Sequence, residues 1–281
     1  GQAGEWTDPS RLAYLSSSQV VAFARKAVLD RDPVGFEQDP LIETLRYFAD
    51  CYLVSPRWQV SNNGVKLVGI LQYHQRRGLL LAMAGDRSRA PFLKRLIGGD
   101  FRQVGFIRRN ALLALAGLGE WDENLRDLLL LVLNNDPYYE SRTAAAEVII
   151  QLREKIGSSQ ALTQAIEANL RHRSLEVRCR ALEALGAVTD DPELMPGTNL
   201  ESFLFHPNWR IRQALARAAR HMLERGLVQP SDPLVRQLEN IIPTCTDFVP
   251  TYPLKHSLNR LRSFSSDDCD CTGPSDGKGP T

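Results

Sequence analysis

Five arginines recur along the middle of this chain at nearly even intervals: Arg76, Arg108, Arg142, Arg178 and Arg212, spaced 32, 34, 36 and 34 residues apart. A period of that size means repeated supersecondary units, each unable to bury its apolar face alone. The residues three, four and seven places after each arginine are all apolar. They run Leu79, Leu80, Met83; Ala111, Leu112, Leu115; Ala145, Ala146, Ile149; Ala181, Leu182, Leu185; and Leu215, Ala216, Ala219. Spacings of three, four and seven mark one face of an α-helix. Six places on stand Ala82, Ala114, Val148, Ala184 and Ala218, a small-residue column that lets neighbouring helices approach closely. Ten places on, Leu118, Leu152, Val188 and Met222 continue the face, whereas Asp86 breaks it, so the first copy is expected to end early at Gly85.

A second apolar-periodic segment lies between these helices: Phe92, Leu93, Leu96, Ile97; Leu125, Leu128, Leu129, Val132, Leu133; Leu162, Ala165, Ile166, Leu170; and Leu200, Phe203, Leu204. Each unit therefore reads as helix A, turn, helix B, with the arginine near the start of helix B. Asn135-Asp136-Pro137 and His206-Pro207-Asn208 supply stop-and-start chemistry inside units, and Asp190-Asp191-Pro192 does so between units.

Helix, Asp/Asn-Pro turn, hydrophobic-Arg and an Ala/Leu-rich helix together resemble the HEAT-repeat family. The matching stretches are Phe106-Ile107-Arg108 through Ala116, Glu176-Val177-Arg178 through Gly186, and Arg210-Ile211-Arg212 through Ala219. The period is that of compact HEAT-like repeats. It also equals the tetratricopeptide period, but the Trp/Leu/Gly/Tyr first-helix pattern of that family is missing. The resemblance covers about residues 70–225. It implies an all-α fold, a right-handed α-solenoid of stacked helix-turn-helix repeats, and specifies hardly any activity.

The expected organisation is an N-terminal capping region at 1–37, a repeat array at 38–263 and a disordered tail at 264–281. An amphipathic helix starts near Ser18, a degenerate copy spans 38–55, and Ser61-Asn62-Asn63-Gly64 reads as a turn or loop. Residues 233–242 and 253–262 read as a last helix pair. The tail is rich in Ser, Asp, Gly and Pro.

The 281 residues carry 34 Lys+Arg against 33 Asp+Glu, a net charge of +1, which exerts no global pull toward nucleic acid or anionic membrane. Only six cations are Lys, and Arg suits bidentate pairing. Five scattered cysteines are not a disulfide framework, so a reducing, cytoplasmic setting is expected. No apolar run reaches the roughly 18 residues of a membrane span. A start at Gly1 suggests a processed piece of a larger protein.

Two readings compete for the arginine column Arg76, Arg108, Arg142, Arg178 and Arg212. One is a cationic ladder for phosphates or acidic partners. The other, which the HEAT resemblance implies, is structural pairing with an Asp or a helix-end carbonyl, and this is favoured. Candidate partner-binding residues are the outward positions of helix B: Arg109, Asn110, Glu147, Arg180, Glu183, Arg217 and His221. Trp209, beside Arg210, joins them because Trp and Arg are enriched in binding hot spots. Residues 171–225 hold nine Arg against seven Asp/Glu, too even for a nucleic-acid groove. Neither the five histidines nor Cys269-Asp270-Cys271 forms a metal set, and there is no phosphate loop or catalytic constellation. No cofactor is expected, and an enzyme is the less favoured class. The reading is a scaffold or adaptor for a protein or peptide on a concave helix-B wall. The alternatives are a nucleic-acid-binding HEAT-like protein (an alkylated-base glycosylase among them), a chromophore lyase-like HEAT protein, and a sensor array of a larger signalling chain.

Overall fold

The computed structural model describes residues 12–29, 33–87, 100–190, 203–229, 233 and 235–237. Every regular element among them is helical. Ten α-helices follow in order: α1 (Ser17–Val28), α2 (Pro40–Leu53), α3 (Trp58–Ile70), α4 (Arg77–Gly85), α5 (Asp100–Leu118), α6 (Glu123–Asn135), α7 (Tyr139–Leu152), α8 (Gln160–Asn169), α9 (Leu175–Val188) and α10 (Trp209–Glu224).

Local sequence explains where they start and stop. Ser16 and Gln19 form a reciprocal capping box at α1. Asp39 caps α2, with Pro40 at its first position. Asp122, Ser159 and Asn208 accept a backbone N–H at the starts of α6, α8 and α10. Gly119 and Gly226 take the left-handed conformation just past α5 and α10, with φ of 71° and 70°.

The helices stack in two rows. In the long row α3 packs on α5, α5 on α7, α7 on α9 and α9 on α10. In the short row α4 packs on α6 and α6 on α8, and these lie against α5, α7 and α9 respectively. At the N-terminal end α1 and α2 both lie against α3. The core runs between the rows: Ala111, Leu112 and Leu115 of α5, Ala145, Ala146 and Ile149 of α7, Ala181, Leu182 and Leu185 of α9, and Leu215, Ala216 and Ala219 of α10 are buried. They meet Leu125, Leu129, Val132 and Leu133 of α6 and Leu162, Ala165 and Ile166 of α8. The small column decides the spacing within the long row. A Cβ on Gly186 would lie 2.5 Å from the Ala218 backbone, and one on Gly69 2.8 Å from Ala114 Cα, so these helices touch backbone to backbone.

Three sequence expectations change. The helix after Arg76 is not the first long-row helix. It is α4, in the short row, where Leu79 is 43% exposed and Ala82 is exposed. The long-row helix of that unit is α3. Gly186 stands eight residues after Arg178, and Gly69, its counterpart against α5, stands eight after Ser61. Ser61 therefore occupies the place that arginine holds elsewhere. The expected loop Ser61-Asn62-Asn63-Gly64 is the buried centre of α3. Its polar groups tolerate burial because neighbouring helices pair with them: Ser61 Oγ donates to the Leu53 carbonyl, and Asn63 Nδ2 to Ser17 and Ser18. The copy expected at 38–55 is the single helix α2 with the buried residues Leu41, Ile42, Leu45, Ala49 and Leu53. The expected segment at Phe92–Ile97, most of the helix pair in 233–262 and the tail at 264–281 lie outside the described residues.

Candidate functional site

The turns that open α7, α9 and α10 are built the same way. Asp136, His172 and His206 each stand six residues before a column arginine. Each accepts, through a side-chain atom, the backbone N–H two residues on: from Tyr138 at 2.8 Å, Ser174 at 3.0 Å and Asn208 at 3.0 Å. The arginines then close the turn from the other side. Arg142 donates to the carbonyls of Asp136 (2.7 Å), Leu133 (2.7 Å) and Asn134 (3.2 Å), and to Asn169 Oδ1 (3.1 Å). Arg212 donates to the carbonyls of His206 (2.6 Å) and Pro207 (3.3 Å). Arg108 forks onto Asp136 at 2.9 and 3.0 Å, with Arg108 5% and Asp136 1% exposed. The buried Nε of Arg178 has no hydrogen-bond partner among the described residues. Arg76, out of register, forks onto Asp50 of α2 and lies over the Tyr73 ring. That hydrogen bond holds the Asp50 carboxyl below its usual range against a smaller desolvation effect.

The outward residues of the long row divide into two groups. Toward the C-terminal end a chain of ion pairs crosses three helices. Glu147 of α7 meets Arg180 of α9 at 3.2 Å, Arg180 meets Glu183 at 2.6 Å, and Glu183 meets Arg217 of α10 at 3.0 Å. Glu183, only 4% exposed, is the hub. Burial works against the Arg180 charge, but the carboxylates of Glu183 and Glu147 outweigh it and bind its proton more tightly. His221 lies one turn further along α10, 3.4 Å from Glu224, which also takes Arg220 at 2.7 Å and Arg153 at 3.5 Å. Burial, then Arg153, pushes His221 below its usual value, overriding Glu224.

Toward the N-terminal end the surface is differently furnished. Among the described residues Arg109 has one carboxylate nearby, Glu140 at 3.8 Å. Its neighbour Asn110 donates to Asn62 Oδ1 of α3 at 2.7 Å. Lys66 reaches Asn63 Oδ1 at 3.5 Å. Desolvation, then repulsion from Arg25 of α1 and Arg109, lowers its pKa. An aromatic row borders this region, running from the start of α3 across α5 to the start of α7. Trp58 stacks on Phe106 at 6.2 Å, Phe106 meets the Tyr138 edge at 5.8 Å, and Tyr138 adjoins Tyr139 at 5.8 Å. The Tyr138 hydroxyl is pushed up to about 12 by burial first and Glu140 second.

The structure thus joins Glu147, Arg180, Glu183 and Arg217, leaves Arg109 with the α3 amides, and sets Trp209, half-buried, apart as the first residue of α10. Sequence reasoning missed Arg25, Asn62, Asn63 and Lys66. Alignment on Ser61 instead of Arg76 would have placed Asn62 and Asn63 beside Arg109 and Asn110, and Lys66 in the column of Glu147, Glu183 and Arg217. Among the described residues no group of three or more His, Cys, Asp or Glu could hold a metal ion, and no helix is long and apolar enough to cross a membrane. The half-buried Cys179 thiol is pushed up to about 11, mainly by burial, which disfavours the thiolate a nucleophile needs. No protein-family model and no curated protein matches the sequence.

Proposed function

We propose that this chain is a non-catalytic scaffold of HEAT-like repeats that holds a segment of a partner protein along the outward face of its long row. The observation that carries this reading is the row itself. Five helices place half-exposed charged side chains side by side on one continuous face: Lys66, Arg109, Glu147, Arg180 and Arg217. Stacked repeats suit extended partners because each unit adds a strip of surface next to the last. Mixed sign along the face favours a protein segment over a phosphodiester chain, which demands cations throughout.

The test is affinity capture from the native source, with and without nuclease, at two salt concentrations, followed by mass spectrometry. The expected result is a stoichiometric protein that survives nuclease. Its recovery is abolished by Arg109→Glu on the long row and unaffected by Arg126→Glu on α6. Recovery of nucleic acid alone, or of a protein insensitive to Arg109→Glu, contradicts the reading.

A further inference from the structure

The sign of the charge along the long row narrows what such a partner must carry. We propose that Arg25, Lys66 and Arg109 form a carboxylate-binding site for an acidic peptide segment of the partner; this rests on the scaffold reading above. Three helices contribute one cation each. Among the described residues neither Arg25 nor Lys66 pairs with a carboxylate, and Arg109 has only Glu140, at 3.8 Å. Elsewhere on the row arginines are held by carboxylates at 2.6 to 3.2 Å. Unlike charges at such distances stabilise one another, and like charges drawn together at a partly desolvated surface repel. At Lys66 burial first, and then repulsion from both arginines, disfavours the charged form. An arriving carboxylate relieves the repulsion and makes charge-assisted hydrogen bonds with the same groups.

The floor beneath the cations is polar and fixed. Asn63, 6% exposed, is tied to Ser17 and Ser18 of α1 and accepts from Lys66. Asn62, 8% exposed, is tied to Asn110 beside Arg109. These bonds hold α1, α3 and α5 in register, so the helix positions that carry the three cations are fixed before binding. Glu140, then Glu147, follow along the row. A polyphosphate chain, charged at every residue, would run onto these carboxylates. A peptide can put acidic side chains over Arg25, Lys66 and Arg109 and a neutral or basic one over Glu140.

Fluorescence anisotropy with a labelled oligoglutamate peptide tests the site, using the full chain at low salt and at about 0.15 M salt. Lys66→Gln and Arg109→Gln, each checked by its melting curve, are compared with Arg126→Gln on α6. The expected result is salt-sensitive binding that weakens roughly tenfold in each long-row variant and is unchanged in Arg126→Gln. Oligolysine does not bind at this end. Absence of oligoglutamate binding, equal weakening by Arg126→Gln, or tighter binding of a labelled single-stranded oligonucleotide overturns the assignment. Two failures are separable. If peptides selected from an unbiased library bind the long row while oligoglutamate does not, only the carboxylate site falls. If no peptide of any composition binds the row, the scaffold reading falls with it.

Discussion

The two ends of the long row use the same helix positions for opposite purposes. At the C-terminal end the outward charges satisfy one another: Glu183 is buried between Arg180 and Arg217, and Glu147 extends the chain to α7. At the N-terminal end amides replace carboxylates at the contact points between helices, and among the described residues Arg25 and Lys66 pair with no carboxylate. A charge on such a helical face is therefore not evidence of binding until its neighbours are known. Arg180 and Arg217 lie outward on their helices as Arg109 does, yet the first two join neighbouring helices through carboxylates, whereas among the described residues Arg109 meets Glu140 at 3.8 Å.

The largest expected effect lies where the two ends join. Arg108→Ala strands the buried Asp136 carboxylate, a loss of about 3–5 kcal/mol, read by urea unfolding. A loss under about 1 kcal/mol would mean that the pair is dispensable and the junction is held by packing alone. Arg142→Ala removes four donated hydrogen bonds from helix-end carbonyls and Asn169, and should cost about 1–3 kcal/mol. An unchanged melting temperature would argue against a structural arginine there. Glu183→Gln should cost about 1–2 kcal/mol, because it leaves half-exposed Arg217 without its carboxylate and Arg180 with Glu147 alone, while Lys66→Gln at the other end should stay within about 0.5 kcal/mol of the parent. Equal costs at both positions would erase the contrast between the ends.

A smaller effect should follow pH. His221 is held below its ordinary value of about 6.5. On acidification the unfolded chain takes this proton before the folded one does. Stability contributed by neutral His221 is therefore complete above about pH 6.5 and is lost as pH falls toward the folded value. His221→Gln should flatten that part of the curve of stability against pH. The contribution of Asp50, whose carboxyl Arg76 depresses, is lost at lower pH, as acid passes through its folded value. A curve for His221→Gln that superimposes on the parent would show that burial of this ring does not matter.

Much of the helical architecture was legible because it is periodic. The apolar columns after Arg108, Arg142, Arg178 and Arg212 are the buried faces of α5, α7, α9 and α10, and the intervening segments at Leu125–Leu133 and Leu162–Leu170 are α6 and α8. The first unit was misread because Arg76 sits at a matching interval for another reason: it binds Asp50 of α2. The true long-row helix there has Ser61 in place of arginine and two asparagines at its centre, which read as a turn when local propensity is the guide. Only cross-helix pairing with Ser17, Ser18 and Asn110 makes that segment a buried helix, and such pairing leaves no mark in local sequence. The binding face was half legible. Helical period identifies which residues point outward. Which of them are consumed by Glu183 or Glu147 depends on the approach of helices some 34 residues apart, and this only the fold supplies.

The most direct test of a partner site at the N-terminal end of the long row is to map where selected peptides touch the protein. Peptides taken from an unbiased display library, fitted with a photo-crosslinker and analysed by mass spectrometry after capture, would report contact residue by residue. Acidic sequences cross-linked around Lys66, Asn110 and Arg109 are the expected result. Cross-links concentrated on the short row, at α4, α6 and α8, would contradict it.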